Sequence, residues 1–174
     1  MFRKSLPRIR LEGRRVLLVP RSALVLMQNG FAEYRNATVE GCCFWYGPKT
    51  DSNEFAITHV VLPKQMNKRL NFTVSPEAVG EMSAATHPLS LINRAQVHTH
   101  PSRWVDHSPY DDEHAISRKA LSIVLPRYGA SIRAWPRGIG VHEFRNDAWR
   151  RLPSRQASQR IQIADGEVHV IDLR

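Results

Sequence analysis

A chain of 174 residues with 42% apolar content is sized for one domain with an ordinary core, which excludes a disordered chain or a disulfide scaffold. Cys42 and Cys43 are adjacent, a poor arrangement for a crosslink and one that fits a reducing compartment. The net charge of +9 comes mostly from arginines crowded into Arg8 to Arg21 and Arg145 to Arg160; no aromatics alternate with them, so they read as solvated surface and nucleic acid is an unexpected partner.

Arg8–Leu11 and Arg15–Val19 read as two strands around a Glu12-Gly13 turn. A helix follows, with Leu24, Met27, Phe31 and Tyr34 on one face and Ser22 as its N-cap. The best apolar stretch, Val16 to Met27, is interrupted by Pro20 and Arg21. It falls short of the roughly 20 residues that span a bilayer. No clean signal-peptide core follows the basic N-terminus either. The expectation is a soluble, cytoplasmic protein with no membrane partner.

Val39–Tyr46 is a mostly apolar run with Glu40 near its start, and Glu54–Leu62 returns as a strand to form a central hairpin. Leu70, Phe72 and Val74 alternate as a further strand. Ser75-Pro76-Glu77 then opens a helix that points Val79 and Met82 inward and ends at His87-Pro88. Ala95–His100 is a short strand stopped by Pro101. Ser108-Pro109-Tyr110-Asp111 starts a helix running to about Lys119, and Leu121–Leu125 is a buried strand. Ile139–Phe144 and the segment around Trp149 are strands about an Arg145-Asn146-Asp147 turn. Pro153–Gln159 reads as a linker to a last hairpin, Ile161–Ala164 with Val168–Leu173, around Asp165-Gly166. Interleaved helices and strands with hairpins at both ends imply an α/β fold: a mixed sheet flanked by helices. The division expected is a main domain over residues 1–152 and a linker with a terminal hairpin over residues 153–174.

His98-Thr99-His100 carries the chemistry. Residues i and i+2 of a strand share a face, so the two imidazoles can meet one metal ion. Asp111 stands at N3 of the helix that Ser108 caps, where the capping geometry fixes its direction. A carboxylate held there can serve as a third ligand and leaves the Ser108 hydroxyl beside the ion. Asp106 and His107 are alternative ligands in the same loop. Three protein ligands leave one position of a tetrahedral zinc ion open, as a catalytic site requires. A carboxylate outside the coordination shell would then move the protons. The remaining acids of the loop, Asp112 and Glu113, read as helix-dipole residues, and His59, His87, His142 and His169 as structural or surface.

His98-Thr99-His100-Pro101, six further residues and then Ser108-x-x-Asp111 resemble the JAMM signature of the JAB/MPN-domain metalloproteases. Glu40, before Gly41-Cys42-Cys43-Phe44-Trp45-Tyr46-Gly47, stands where that family has an upstream glutamate. The family's glycine usually follows the glutamate by two or three residues, whereas Gly41 follows Glu40 at once. The resemblance covers about residues 15 to 150. It implies a mixed sheet between helices similar to that of cytidine deaminases. It implies one zinc ion on His98, His100 and Asp111, the family spacing selecting Asp111 over its neighbours. Glu40 would be general base and then general acid, and Ser108 would hydrogen-bond the bound water or the oxyanion. The activity implied is cleavage of a peptide or isopeptide bond at the C-terminus of a ubiquitin-like protein, in processing or deconjugation. Activating and conjugating enzymes accompany the short bacterial members. Trimming of a sulfur-carrier protein and a non-catalytic docking module are the alternatives. Cys42 and Cys43 read as small buried apolar residues.

Overall fold

The computed structural model describes residues 15–130 and 135–174; the expected strand Arg8–Leu11 lies outside them. The chain is mixed α/β, built on a seven-stranded mixed sheet. Its strands are β10 (Ala148–Arg151), β9 (Gly140–Arg145), β8 (Leu121–Leu125), β7 (Leu91–Thr99), β2 (Cys42–Pro48), β4 (His59–Leu62) and β12 (His169–Asp172), in that spatial order. A second sheet orders β11 (Ile161–Ala164), β1 (Val16–Pro20) and β3 (Glu54–Ala56), all parallel to β1. A two-stranded ribbon pairs β5 (Met66–Asn67) with β6 (Phe72–Thr73).

Alternation along β2 explains the layering, because successive side chains leave opposite faces. Cys43 and Trp45 join a core with β1, α1 (Arg21–Gly30) and α5 (Ser154–Arg160), between the two larger sheets. Cys42, Phe44 and Tyr46 join a second core with Phe72 of β6 and Met82 of α3 (Pro76–Thr86). Both cysteines are free and fully buried, and burial pushes both thiols far above their ordinary pKa. That is packing and not nucleophilic chemistry.

Several sequence expectations need correction. Ser22 does not cap α1; it sits inside the helix and donates to the Gly166 carbonyl, while Pro20 holds the cap position. The helix pattern around Leu24 to Tyr34 breaks at Phe31, giving α1 and a short α2 (Ala32–Asn36). Residues 54–62 are not one strand: β3 and β4 belong to different sheets, because the chain crosses from one layer to the other at Ile57-Thr58. The alternation from Leu70 to Val74 yields only the two-residue β6, with Leu70 exposed.

The helix capped by Ser108 stops early, as α4 (Pro109–His114), with no pairing to carry it to Lys119. Residues 153–159 are not a linker, since Ser154–Arg160 is helical and buries Ala157 and Arg160. The last two strands are not a hairpin. β11 pairs in parallel with β1 and β12 in parallel with β4, so residues 153–174 are built into both sheets and do not form an extension.

Candidate metal centre

The site forms where β7 runs out. β7 and β8 are parallel, with α4 and its preceding loop in the crossover. In open sheets such strand ends are where ligands gather. His98 lies opposite Cys42 on one side and Val124 on the other, in the middle of the sheet. His100 continues the line, its N–H donating to the Leu125 carbonyl at 2.8 Å.

Asp111 meets the histidines from α4. Ser108 and Asp111 form the expected capping box: the Ser108 hydroxyl accepts from the Asp111 N–H, and Asp111 Oδ2 accepts from the Ser108 N–H at 2.7 Å. The hydroxyl also donates to Oδ2 at 2.8 Å. The carboxylate is thereby aimed at the strand. Oδ1 stands 3.4 Å from His98 Nε2, and Oδ2 stands 3.2 Å from His100 Nε2.

All three side chains are buried, and one donor atom from each lies within 4.8 Å of the others. Burial opposes the charged carboxylate, but hydrogen bonds from His100 and His98 outweigh it and hold Asp111 far below the usual carboxylate range. Burial lowers the His98 pKa; in His100 the Asp111 hydrogen bond and charge overcome burial and raise it.

Two details fit these residues to a cation. His98 is wholly buried; its Nδ1 has no hydrogen-bond partner among the described residues, and its Nε2 has only the Asp111 carboxylate at 3.4 Å. Buried polar atoms are rarely left so. His100 Nδ1 is 3.1 Å from the Trp104 carbonyl. Donation there fixes the tautomer that turns the Nε2 lone pair toward Asp111, the usual support of a ligating histidine. Two imidazoles and one carboxylate are a donor set suited to zinc.

Glu40 lies two residues before β2 and is 3% exposed. Its N–H donates to the Lys68 carbonyl at 2.8 Å, and its carbonyl accepts from Asn67 Nδ2 at 2.7 Å. The β5–β6 ribbon therefore fixes its backbone. Burial raises its pKa to about 7, with the His100 charge pulling down and the Asp111 charge pushing up, so the carboxyl lies within electrostatic reach of the cluster. Gly41 makes this placement possible. A Cβ there would stand 2.2 Å from the Tyr34 ring. Its N–H donates to Thr99 Oγ1 and its carbonyl accepts from the Thr99 N–H, both at 3.0 Å.

The rival ligands are otherwise engaged. Asp106 pairs with Arg151 at 3.0 Å. His107 places Nδ1 at 2.8 Å from Asp112 Oδ1 and Nε2 at 2.8 Å from Ser122 Oγ. Its ring stacks on His142 at 4.0 Å. Burial first, then His107 and His98, lowers the His142 pKa to about 3. The histidine row 98–107–142 has no counterpart in the sequence reading, which took His142 as structural or surface. Only the pairing of Ser122 with His142 across β8 and β9 brings it together.

No family model and no curated protein matches this chain. Among solved structures it is similar to the solution structure of a protein from Desulfitobacterium hafniense. The match has a TM-score of 0.60 at 14% identity and covers 87% of this chain and 95% of that one. At that identity the likeness concerns the fold alone. Among the described residues, no helix is long and apolar enough to cross a membrane.

Proposed function

We propose that this chain is a JAMM-type zinc metallopeptidase of the JAB/MPN family. Its substrate would be a peptide or isopeptide bond at the C-terminus of a ubiquitin-like protein, in a cytoplasmic bacterial conjugation system. The observation that carries the reading is the buried convergence of His98, His100 and Asp111, with the buried Glu40 within electrostatic reach of two of them. A zinc ion held there supplies Lewis acidity, polarising a carbonyl and making water easier to deprotonate.

The chain's own groups supply the rest. Glu40, with a pKa of about 7, takes a proton from the attacking water and returns it to the leaving nitrogen. The water oxygen adds to the carbonyl carbon, and the C–N bond then breaks. The Ser108 backbone N–H holds Asp111 Oδ2, so the hydroxyl, which also donates to Oδ2 at 2.8 Å, can turn to the developing oxyanion without releasing the carboxylate. His107, Ser122 and His142 pack beside His98 and keep that flank closed.

An extended tail suits the surroundings. Among the described residues the β5–β6 ribbon that holds Glu40 pairs only with itself, which leaves an edge for strand addition. Met66 and Leu70 on it, and Trp104 beside His100, are 64%, 63% and 66% exposed.

The test is cleavage of a ubiquitin-like protein extended at its C-terminus, by wild type and Glu40→Gln. The proposal expects turnover lost in the variant with zinc retained. Retained turnover would sink the assignment of the base. Zinc binding without turnover in either protein would favour a docking module.

A further inference from the structure

A cavity opens at the other end of β7, between the seven-stranded and three-stranded sheets. Its volume is about 700 Å³, in the range of small-molecule sites. Among the described residues that line it, seven side chains are cationic and one is acidic. The cations come from distant parts of the chain. Arg15 precedes β1, Lys49 follows β2, Arg94 lies on β7, and Arg118 and Lys119 precede β8. Arg145 ends β9 and Arg160 ends α5. Charge that reads as two solvated runs in sequence is gathered around one concavity.

The one acid is already used. Glu143 pairs with Arg160 at 2.6 Å and also with Arg145. Arg160 is 5% exposed, and its Nε has no hydrogen-bond partner among the described residues; neither has Arg94 Nε. Two guanidinium groups are pre-set on rings: Arg94 over Phe55 at 4.1 Å and Arg118 over Phe144 at 4.7 Å. Stacking fixes each plane; Arg94 donates one Nη to the Pro48 carbonyl at 2.6 Å, and its remaining N–H groups and those of Arg118 can grip an oxyanion. Packing unpaired cations together opposes folding unless an anion balances them. Burial and then Arg15 lower the Arg94 pKa, as that repulsion requires. Leu17, Ala120 and Leu121 give the cavity an apolar floor.

We propose that this cavity binds a small phosphorylated ligand that carries a ring, of the nucleoside polyphosphate class. The cations enclose a pocket and do not form a stripe, which suits a small molecule better than a strand of nucleic acid. The floor gives the ring an apolar surface. The site is separate from the histidine cluster and does not depend on the chemistry proposed there.

The test titrates ATP, inorganic tripolyphosphate and single-stranded oligonucleotides of increasing length into the full chain by calorimetry. Amide shifts locate the binding. Saturable ATP binding is expected, with shifts at Arg94, Arg118 and Phe144. ATP should bind at least about ten-fold tighter than tripolyphosphate. The exposed double variant Arg118→Glu/Lys119→Glu should weaken ATP at least about ten-fold. Its melting temperature checks that it folds. No saturable binding overturns the proposal, as does binding that the double variant leaves unchanged. Tripolyphosphate binding as tight as ATP overturns the role of the floor. Oligonucleotide affinity that climbs with length and exceeds that of ATP makes the surface a nucleic-acid site and overturns the small ligand.

Discussion

The two ends of β7 carry opposite chemistry on one strand. At its C-terminal end, the buried His98 and His100 meet a buried carboxylate in a group that could hold a positive ion. At its start, Arg94 stands among other cations, and buried guanidinium nitrogens point to a missing negative one. From Arg94 to His98 is roughly 13 Å of strand. A central strand thus keeps the proposed metal site and the proposed anion site apart.

The largest expected effect breaks the histidine end alone. Glu40→Gln should lower turnover by about 10²–10⁴-fold, the usual share of general acid–base catalysis. Zinc content and ATP binding should not change. Unchanged turnover would detach Glu40 from the chemistry.

Zinc should also stabilise the fold. At a thousand-fold excess over its Kd, a ligand specific for the folded state adds about 4 kcal/mol. Thermal melts with zinc and with chelator should differ accordingly in wild type and coincide in His98→Ala. Equal shifts in both proteins would place the metal elsewhere.

Gly41→Ala sharpens the picture of how Glu40 is placed. The added methyl meets the Tyr34 ring at 2.2 Å. Overpacking of this kind costs about 1–3 kcal/mol. A chemical denaturation curve reads it, and turnover should fall with it because Glu40 is the adjacent residue.

The smallest effects are in pH, and two groups at the histidine end act with opposite sign. Glu40 has its pKa raised to about 7 by burial. Its contribution is present in full below the unfolded value and is lost as pH rises through 7. His142 is held at about 3, chiefly by burial. Its contribution is present above the unfolded value of about 6.5 and is lost as pH falls toward 3. In chelator, Glu40→Gln should flatten the loss of stability on the alkaline side, and His142→Phe that on the acid side. Melting temperatures from pH 4 to 9 that keep the wild-type profile would contradict both assignments.

What was legible in the sequence follows physical range. The His-x-His pair, the Ser108 cap and Asp111 are set by local periodicity and helix-start chemistry, and they are found where those rules put them. Ser75-Pro76 likewise starts α3, with the Ser75 hydroxyl accepting from Ala78 N–H. The local failures are the Ser22 cap, the break at Phe31, the early end of α4 and the helix α5 read as a linker; the others are at long range. Nothing local separates Glu54–Ala56 from His59–Leu62, because the difference lies in which sheet each joins. Ile161–Ala164 and His169–Asp172 flank a turn that reads as a hairpin, but each pairs in parallel with a strand far upstream. Asn67, which holds the Glu40 carbonyl, and the His107–His142 stack are equally invisible until the sheets form. The basic cavity is the extreme case, since its cations span residues 15 to 160.

The central claim is that His98, His100 and Asp111 together hold one metal ion. Elemental analysis of the purified protein and of Asp111→Asn, each checked for folding by its melting curve, tests it most directly. About one zinc ion per wild-type chain is predicted, and essentially none in the folded variant. Equal zinc in both, or none in the wild type after zinc is supplied, would contradict it.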